Sequence, residues 1–429
     1  MAKHNVLYLM CTELVVDYGI FETQVKSLLK TIVQRHGDGY QMHFLSLVPI
    51  LRVRKWYVDE WIFRKHRRAF QKVKDELRTA SVNCSFFPLL AAYPFTSMSP
   101  LELAVALPLA VLEVLLYVQI HRIDVLHCRS YQAGLIGLLV HKLGGVPYIF
   151  DPRSHWPEER VLRGEWQETS LAYAMWKQIE RLVVKNAHTV VVVSEPMAPF
   201  YSQHARKVEV IFTTASASFF RSEALELTDP VKIDLDSLQL MAESHTLLVV
   251  SANRFNKWND LEHILSRYKQ IRNVFQSSIL VILTRTPVDV VVSTVRQSGV
   301  PDDEIWVRSF DSNLVASALS CCHYGLLVMP RSVISPVVMS VKFAEYLASG
   351  LPVICDGYIG GAAQVITKYS VGVLLTDDWD QNSEALIRLA ADRSVSARCC
   401  EVAQRLFSVQ VHADRYAELY REAITKQGY

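Results

Sequence analysis

Lys342 and Glu345 stand one helical turn apart, and the glycines of Asp356-Gly357 and Gly360-Gly361 follow them after one short apolar run. A cation and a carboxylate on one helix face, next to a helix start at Ser340 and a glycine loop, suit a phosphorylated ligand. A second pair, Arg254 and Lys257, follows the apolar run from Thr246 to Ser251, where two cations can neutralise a diphosphate. A third cluster lies nearer the amino terminus. His127, Arg129 and Ser130 follow one apolar run, and Asp151, Arg153, Ser154 and His155 follow the next. One polar residue at a strand end is ordinary, but two adjacent strand ends carrying charge have the layout of an active cleft. Gly19 precedes the stripe Phe21, Val25, Leu28, Leu29 and Ile32, and so lies before a helix start that favours an anion. A glycine needed only for a tight turn fits there equally well.

Such residues need strands that end together. Short apolar runs occur at Asn5–Met10, Gln41–Val48, Val82–Phe87, Val125–His127, Tyr148–Asp151, Thr189–Ser194 and Val208–Phe212. A second series follows at Thr246–Ser251, Ser278–Thr284, Ile305–Arg308, Tyr324–Met329 and Val353–Cys355. Amphipathic stretches separate them, and alternating strands and helices imply doubly wound parallel sheets. The stretch from Ser335 to Gly361 shows the pattern most clearly: Val341, Ala344, Leu347 and Ala348 recur at helical spacing, Gly350 serves as a carboxyl-terminal cap, and Val353-Ile354-Cys355 reads as a buried strand. The loop Thr213–Ser218 and the polar stretch Ser222–Ser244 read as a linker, and Ser383–Gln427 as largely helical.

A chain of 429 residues exceeds one ordinary core, so two domains are expected. Half of the residues are hydrophobic and 21% are charged, which excludes a disordered protein, and the net charge of +2 gives no global drive towards nucleic acid. The eight cysteines form no CxxC and no zinc spacing, so they read as reduced and mostly buried, with no metal site. The opening MAKHNVLYLMCTE reads as a first strand rather than a signal peptide, giving a cytoplasmic expectation. Leu101–Ile120 is nearly long and apolar enough to span a bilayer, but Glu102, Pro108 and Glu113 interrupt it and favour a helix packed in the protein. Residues 52–78 interleave Arg54, Lys55, Arg64, Lys65, Arg67, Arg68, Lys72 and Lys74 with Trp56, Tyr57, Trp61 and Phe63. Read as a helix, this segment suits the anionic inner face of a membrane as well as it suits solvent.

The segments VKFAEYLASGLPVICDGYIGG, DVLHCRSYQAGLI, YIFDPRSHWPEERV and TQVKSLLKTI, in the family's order, resemble the family 4 glycosyltransferases of GT-B fold. FSVQVHADRYAELY is similar to the terminal helix that crosses back to the first domain in that fold. The resemblance implies two Rossmann-like domains facing a cleft: an acceptor-binding domain over 1–222, a nucleotide-sugar-binding domain over 223–405, and a returning helix over 406–429. It further implies retaining, metal-independent transfer of a sugar from a UDP- or GDP-sugar to a glycan or lipid-linked acceptor, without a cofactor, in cell-envelope or extracellular polysaccharide assembly.

On this resemblance Glu345 matches the second glutamate of the family's paired motif and binds the donor ribose, and Arg254 and Lys257 hold the diphosphate. Gly19, Ser340, Lys342, Gly360 and Gly361 complete the donor side, while His127, Asp151 and Arg153 serve the catalytic and acceptor side. The first glutamate of the motif falls at Val337, TTASASFF stands where a glycine and an aspartate are usual, and Arg153 stands near a usual histidine. Val337 and the TTASASFF loop keep open a catalytically silent GT-B protein that binds a sugar nucleotide or supports a partner transferase, and a GT-B epimerase is a third alternative, which EYLASGLPVI resembles less closely than it does the transferases.

Overall fold

The computed structural model describes residues 3–13, 19–54, 57–93, 100–215, 219, 229–252, 255, 260–310 and 314–425. The chain forms two compact units, one of residues 1–212 with 409–429 and the other of residues 213–408.

Unit 1 is built on one sheet. Its strands are β1 (His4–Cys11), β2 (Tyr40–Arg54), β3 (Tyr57–Trp61), β4 (Asn83–Tyr93), β5 (Val125–Arg129), β6 (Tyr148–Asp151), β7 (Thr189–Val192) and β8 (Val208–Val210). They pair in the order β4-β2-β1-β5-β6-β7-β8, all parallel, and β3 folds back antiparallel on the end of β2. β1 lies between β2 and β5, with Val6 opposite Val125 and Met10 opposite Arg129, so the strand order reverses at this pair. β5 and β6 are buried along their whole length, as parallel strands covered on both faces must be.

The order β1, β2, then back across to β5 requires a long crossover, and the helix Pro100–His121 supplies it. Its inner face, with Ala106, Ala110, Val111, Val114, Tyr117 and Val118, is buried. Among the described residues no helix is long and apolar enough to cross a membrane. Residues 52–78 differ from the single helix expected. The chain continues in β2 to Arg54, turns back through β3, and only then forms helices Ile62–Lys65 and Arg67–Thr79. The β-branched and aromatic residues Val48, Ile50, Val53, Tyr57 and Val58 favour extended chain, and they outweigh the charge pattern that suggested a helix. In the second helix Phe70, Val73 and Leu77 are buried in the core of unit 1.

The last helix, Val409–Thr425, belongs to unit 1, where it packs beside the helix Ser27–His36. Val409, Ala413, Tyr416, Ala417, Leu419 and Tyr420 enter its core. Ion pairs lock the helix: Arg35 donates twice to Asp414, at 2.8 and 2.7 Å, Lys207 meets Glu422 at 2.6 Å, and Arg415 meets Glu209 at 2.6 Å.

Unit 2 repeats the plan. β9 (Thr246–Ala252), β10 (Ser278–Thr284), β11 (Ile305–Arg308), β12 (Tyr324–Leu327), β13 (Val353–Asp356) and β14 (Gly372–Leu375) form a parallel sheet in the order β11-β10-β9-β12-β13-β14. The order reverses between β9 and β12, where an open α/β sheet binds its ligands. Residues 229–244, expected in the linker, form a helix of this unit that buries Leu238. Its apolar positions Ile233, Leu235, Leu238 and Leu240 were diluted by surrounding serines and acids.

Candidate functional site

In unit 1, β1, β5 and β6 end at one edge, and each is followed within two residues by a side chain on left-handed backbone: Thr12 at φ 71°, Ser130 at 75° and Arg153 at 64°. This conformation costs a non-glycine residue about 1–2 kcal/mol and persists where surrounding contacts impose it, often at functional sites. Three of them on neighbouring strand ends mark the edge at the reversal point.

The side chains there form two connected groups. The 4%-exposed Arg129 donates from Nε to Glu13 Oε2 at 3.2 Å, joining the end of β5 to the segment after β1. His127 and Asp151 are wholly buried, with Nε2 and Oδ2 3.5 Å apart. Arg153 reaches Asp151 Oδ2 at 3.4 Å and donates to Gln24 Oε1 at 3.3 Å. Gln24 lies on the wide turn Glu22–Lys26, which runs from the short helix opened by Gly19 into Ser27–His36. Gly19 thus begins the helical segment that carries an Arg153 partner. Burial raises the Asp151 carboxyl, but Arg153, His127 and Arg129 override it and hold the group at about 2. Burial lowers His127 despite the adjacent carboxylate, so the imidazole is neutral.

In unit 2 the helix Val341–Ala348 follows β12 and carries Lys342 and Glu345, both half-buried. Its seat depends on Gly325 of β12, because a Cβ there would strike the ring of Tyr346. Ser340 is the residue before the first turn, and its side chain makes no capping hydrogen bond. The chain leaves the helix through Gly350 at φ 75°, with Leu351 N–H donating to the Tyr346 carbonyl at 2.9 Å. Burial pushes the Glu345 carboxyl up to about 7 and draws the Lys342 ammonium down to about 8, each against the pull of the other charge. Gly360 and Gly361 open the helix Gly360–Tyr369, and Gly360 packs against the Pro336 carbonyl with no room for a Cβ. Val337 lies on that same short turn, Ser335–Val337, 5% exposed. Arg254 and Lys257 lie outside the described residues.

A further group was not evident from sequence. Asp356, 0% exposed at the end of β13, meets Arg267 Nε at 2.9 Å and His263 Nε2 at 2.9 Å. It also accepts from the Tyr358 hydroxyl at 3.0 Å and the Met329 amide at 3.2 Å. The Arg331 guanidinium lies 5.0 Å from the centre of the Tyr358 ring. His263 and Arg267 sit one turn apart on the helix Leu261–Ile271, which Asp260 caps by accepting from the Glu262 and His263 amides. That capped start with a histidine and an arginine on one face was the available signal. Arg267 neutralises this buried carboxylate, and the bonds from Met329 and Tyr358 tie it to the segment after β12.

Among the described residues no group of histidine, cysteine and carboxylate side chains has the geometry to hold a metal ion. Both units therefore present cations and strained or glycine-dependent backbone at the carboxyl edge of a parallel sheet, an arrangement suited to anionic and hydroxyl-rich ligands.

Residues 38–212 match the family model of the glycosyl transferase 4-like domain. No curated protein matches the sequence. Solved structures match it over nearly its whole length. A sucrose-phosphate synthase from Thermosynechococcus elongatus is 15% identical, covers 99% of this chain and 100% of its own, and has a TM-score of 0.65. HepE from Anabaena, in complex with UDP, is 13% identical, with 97% and 100% covered and a TM-score of 0.64. A glycosyltransferase from Rickettsia africae is 12% identical, with 99% of each chain covered and a TM-score of 0.66. At such identities the likeness is one of fold. The chain has the GT-B fold, and residues 38–212 of its first unit are similar to the glycosyl transferase 4-like domain.

Proposed function

We propose that the protein is a retaining, metal-independent glycosyltransferase that moves a sugar from a nucleotide-sugar donor to a glycan or lipid-linked acceptor in cell-envelope or extracellular polysaccharide assembly. The observation that carries this reading is the pair Lys342 and Glu345 on a helix seated over Gly325 at the reversal point of unit 2, in a chain whose unit 1 is glycosyl transferase 4-like. Glu345 binds the donor ribose through its carboxylate, while Lys342, Arg254 and Lys257 meet the diphosphate. The HepE structure holds UDP, which makes uridine nucleotides the first donors to test.

Retention by front-face departure fits the chemistry of unit 1. The bond from the anomeric carbon to the diphosphate breaks, the bond to the acceptor oxygen forms on the same face, and the acceptor proton passes to the leaving phosphate oxygen. No side-chain base is then required. The complete burial of His127 and Asp151 supports a role behind the reacting atoms, with Arg153 nearer to them. Contact with anionic lipid through 52–78 is part of the proposal, and the exposed cations Arg64, Arg67, Arg68, Lys72 and Arg78 favour it.

A second reading, a silent protein that binds a sugar nucleotide without transferring the sugar, is favoured by Val337, which is apolar and buried where the family has a glutamate. Calorimetric titration with a panel of UDP- and GDP-sugars, followed by assay of the same mixtures for free nucleoside diphosphate, separates the two. Binding with release is the expected outcome, and binding without release selects the silent protein.

A further inference from the structure

Tyr416 and Tyr420 of the terminal helix are 3% and 0% exposed and stand one turn apart. Their hydroxyls reach two buried groups, one in the middle of β5 and the other at the end of β6. Tyr420 Oη lies 2.8 Å from His127 Nδ1, and Tyr416 donates to Asp151 Oδ2 at 3.3 Å. Both rings also face the imidazole, at centroid distances of 4.8 Å for Tyr416 and 5.9 Å for Tyr420, and Tyr8 of β1 approaches it at 4.3 Å. Phenylalanine would supply the ring packing alone. A buried hydroxyl is costly unless it is bonded, so its presence at both positions argues for the bond it makes.

One assignment of the protons suits both neighbours of the imidazole. With Tyr420 donating to Nδ1, the neutral imidazole carries its proton on Nε2, which faces Asp151 3.5 Å away. Asp151 Oδ2 then serves Tyr416, His127 and Arg153 together. Of His127, Arg129, Asp151 and Arg153, only Arg153 is appreciably open to solvent, with 16% of its side chain exposed against 5% or less. Its left-handed backbone at φ 64° must be held in place, and Asp151 and Gln24 are what hold its guanidinium.

We propose that Tyr416 and Tyr420 are positioning residues of the unit 1 site. Through Asp151 and His127 they fix the Arg153 guanidinium so that it meets an anionic group of the bound substrates, an inference that rests on the transferase reading above. The terminal helix is then a working part of the site as well as a closure of the fold.

Tyr416→Phe, Tyr420→Phe and the double variant of the full chain keep the rings and remove only the hydroxyls. The first readout is independent of turnover. In protein labelled with nitrogen-15 at histidine and arginine, Tyr420→Phe should move the His127 Nδ1 resonance, and the double variant should move the Arg153 Nε resonance. The thermal midpoint should fall by less than about 5 °C. The second readout is nucleoside diphosphate release from the donor that the panel of UDP- and GDP-sugars selects: the double variant and Arg153→Lys should each lower kcat about tenfold and leave KM within about twofold. Unmoved His127 and Arg153 resonances in the double variant overturn the proposal whatever the activity. Moved resonances with undiminished kcat also overturn it. A native chain that releases no nucleoside diphosphate from any donor of the panel fails the transferase reading alone, and the resonances still decide the positioning claim.

Discussion

Glu345 and Lys342 carry opposite charges in half-buried positions, and burial moves each towards its neutral form, to about 7 and about 8. A raised folded-state carboxyl gives stability that is complete below the unfolded value and is lost as pH rises through about 7. A lowered ammonium gives stability that is complete above its unfolded value and is lost as pH falls through about 8. Between these values both groups are charged and the folded state is least favoured by them, which is the condition that the proposed contacts with a ribose and a phosphate require. Glu345→Gln should therefore stabilise the protein by about 1 kcal/mol or more at pH 7.5 relative to pH 5, measured by urea unfolding, while weakening donor binding. In the native chain donor affinity should fall as pH drops below about 7, and the variant should lose that dependence. Asp356 gives the opposite sign. Asp356→Ala leaves Arg267 partly buried beside no carboxylate and should cost about 3–5 kcal/mol in the same measurement. The two sites also differ in how visible they were beforehand. Lys342 and Glu345 are local to one helix and show in its periodicity, whereas Asp356 and His263 are 93 residues apart and meet only through the sheet order. The departures were equally local: Val337 could be read as apolar, but only its packing shows that it is buried.

At the scale of elements, each strand–helix unit was readable where its apolar positions kept one period. The stretch from Ser340 to Asp356 did so, with helix, Gly350 cap and strand all present. Residues 52–78 mixed two periods, and the hairpin β2–β3 was hidden because its pairing partner lies in the same charge-rich segment. Residues 229–244 were hidden for another reason, since a helix of mixed composition next to a loop resembles that loop. The seat of the helix Val341–Ala348 on Gly325 gives a test at this scale. Gly325→Ala puts a methyl group into the Tyr346 ring and should shift the helix, costing about 1–3 kcal/mol of stability. Donor affinity should fall severalfold with it, read by titration calorimetry. Retained affinity at lowered stability would show that the helix position does not govern the donor site.

At the scale of the whole molecule, the chain runs through unit 1, then unit 2, and returns to unit 1 only for its last helix. That helix buries Leu419, Tyr420 and Tyr416 in the unit 1 core, each side chain contributing about 1.5–3 kcal/mol by burial. The sum is comparable with the whole stability of a typical domain. A chain ending at Ser408 should therefore lose cooperative unfolding of unit 1 in thermal melts, while unit 2 keeps its own transition. The most direct test is the rate of nucleoside diphosphate release from a panel of sugar nucleotides by the native chain and by Glu345→Ala, at pH 8 where Glu345 is ionised. Release from one donor by the native chain, reduced at least about a hundredfold in Glu345→Ala, is the predicted result. Undiminished release in the variant, or tight binding with no release by the native chain, would contradict it.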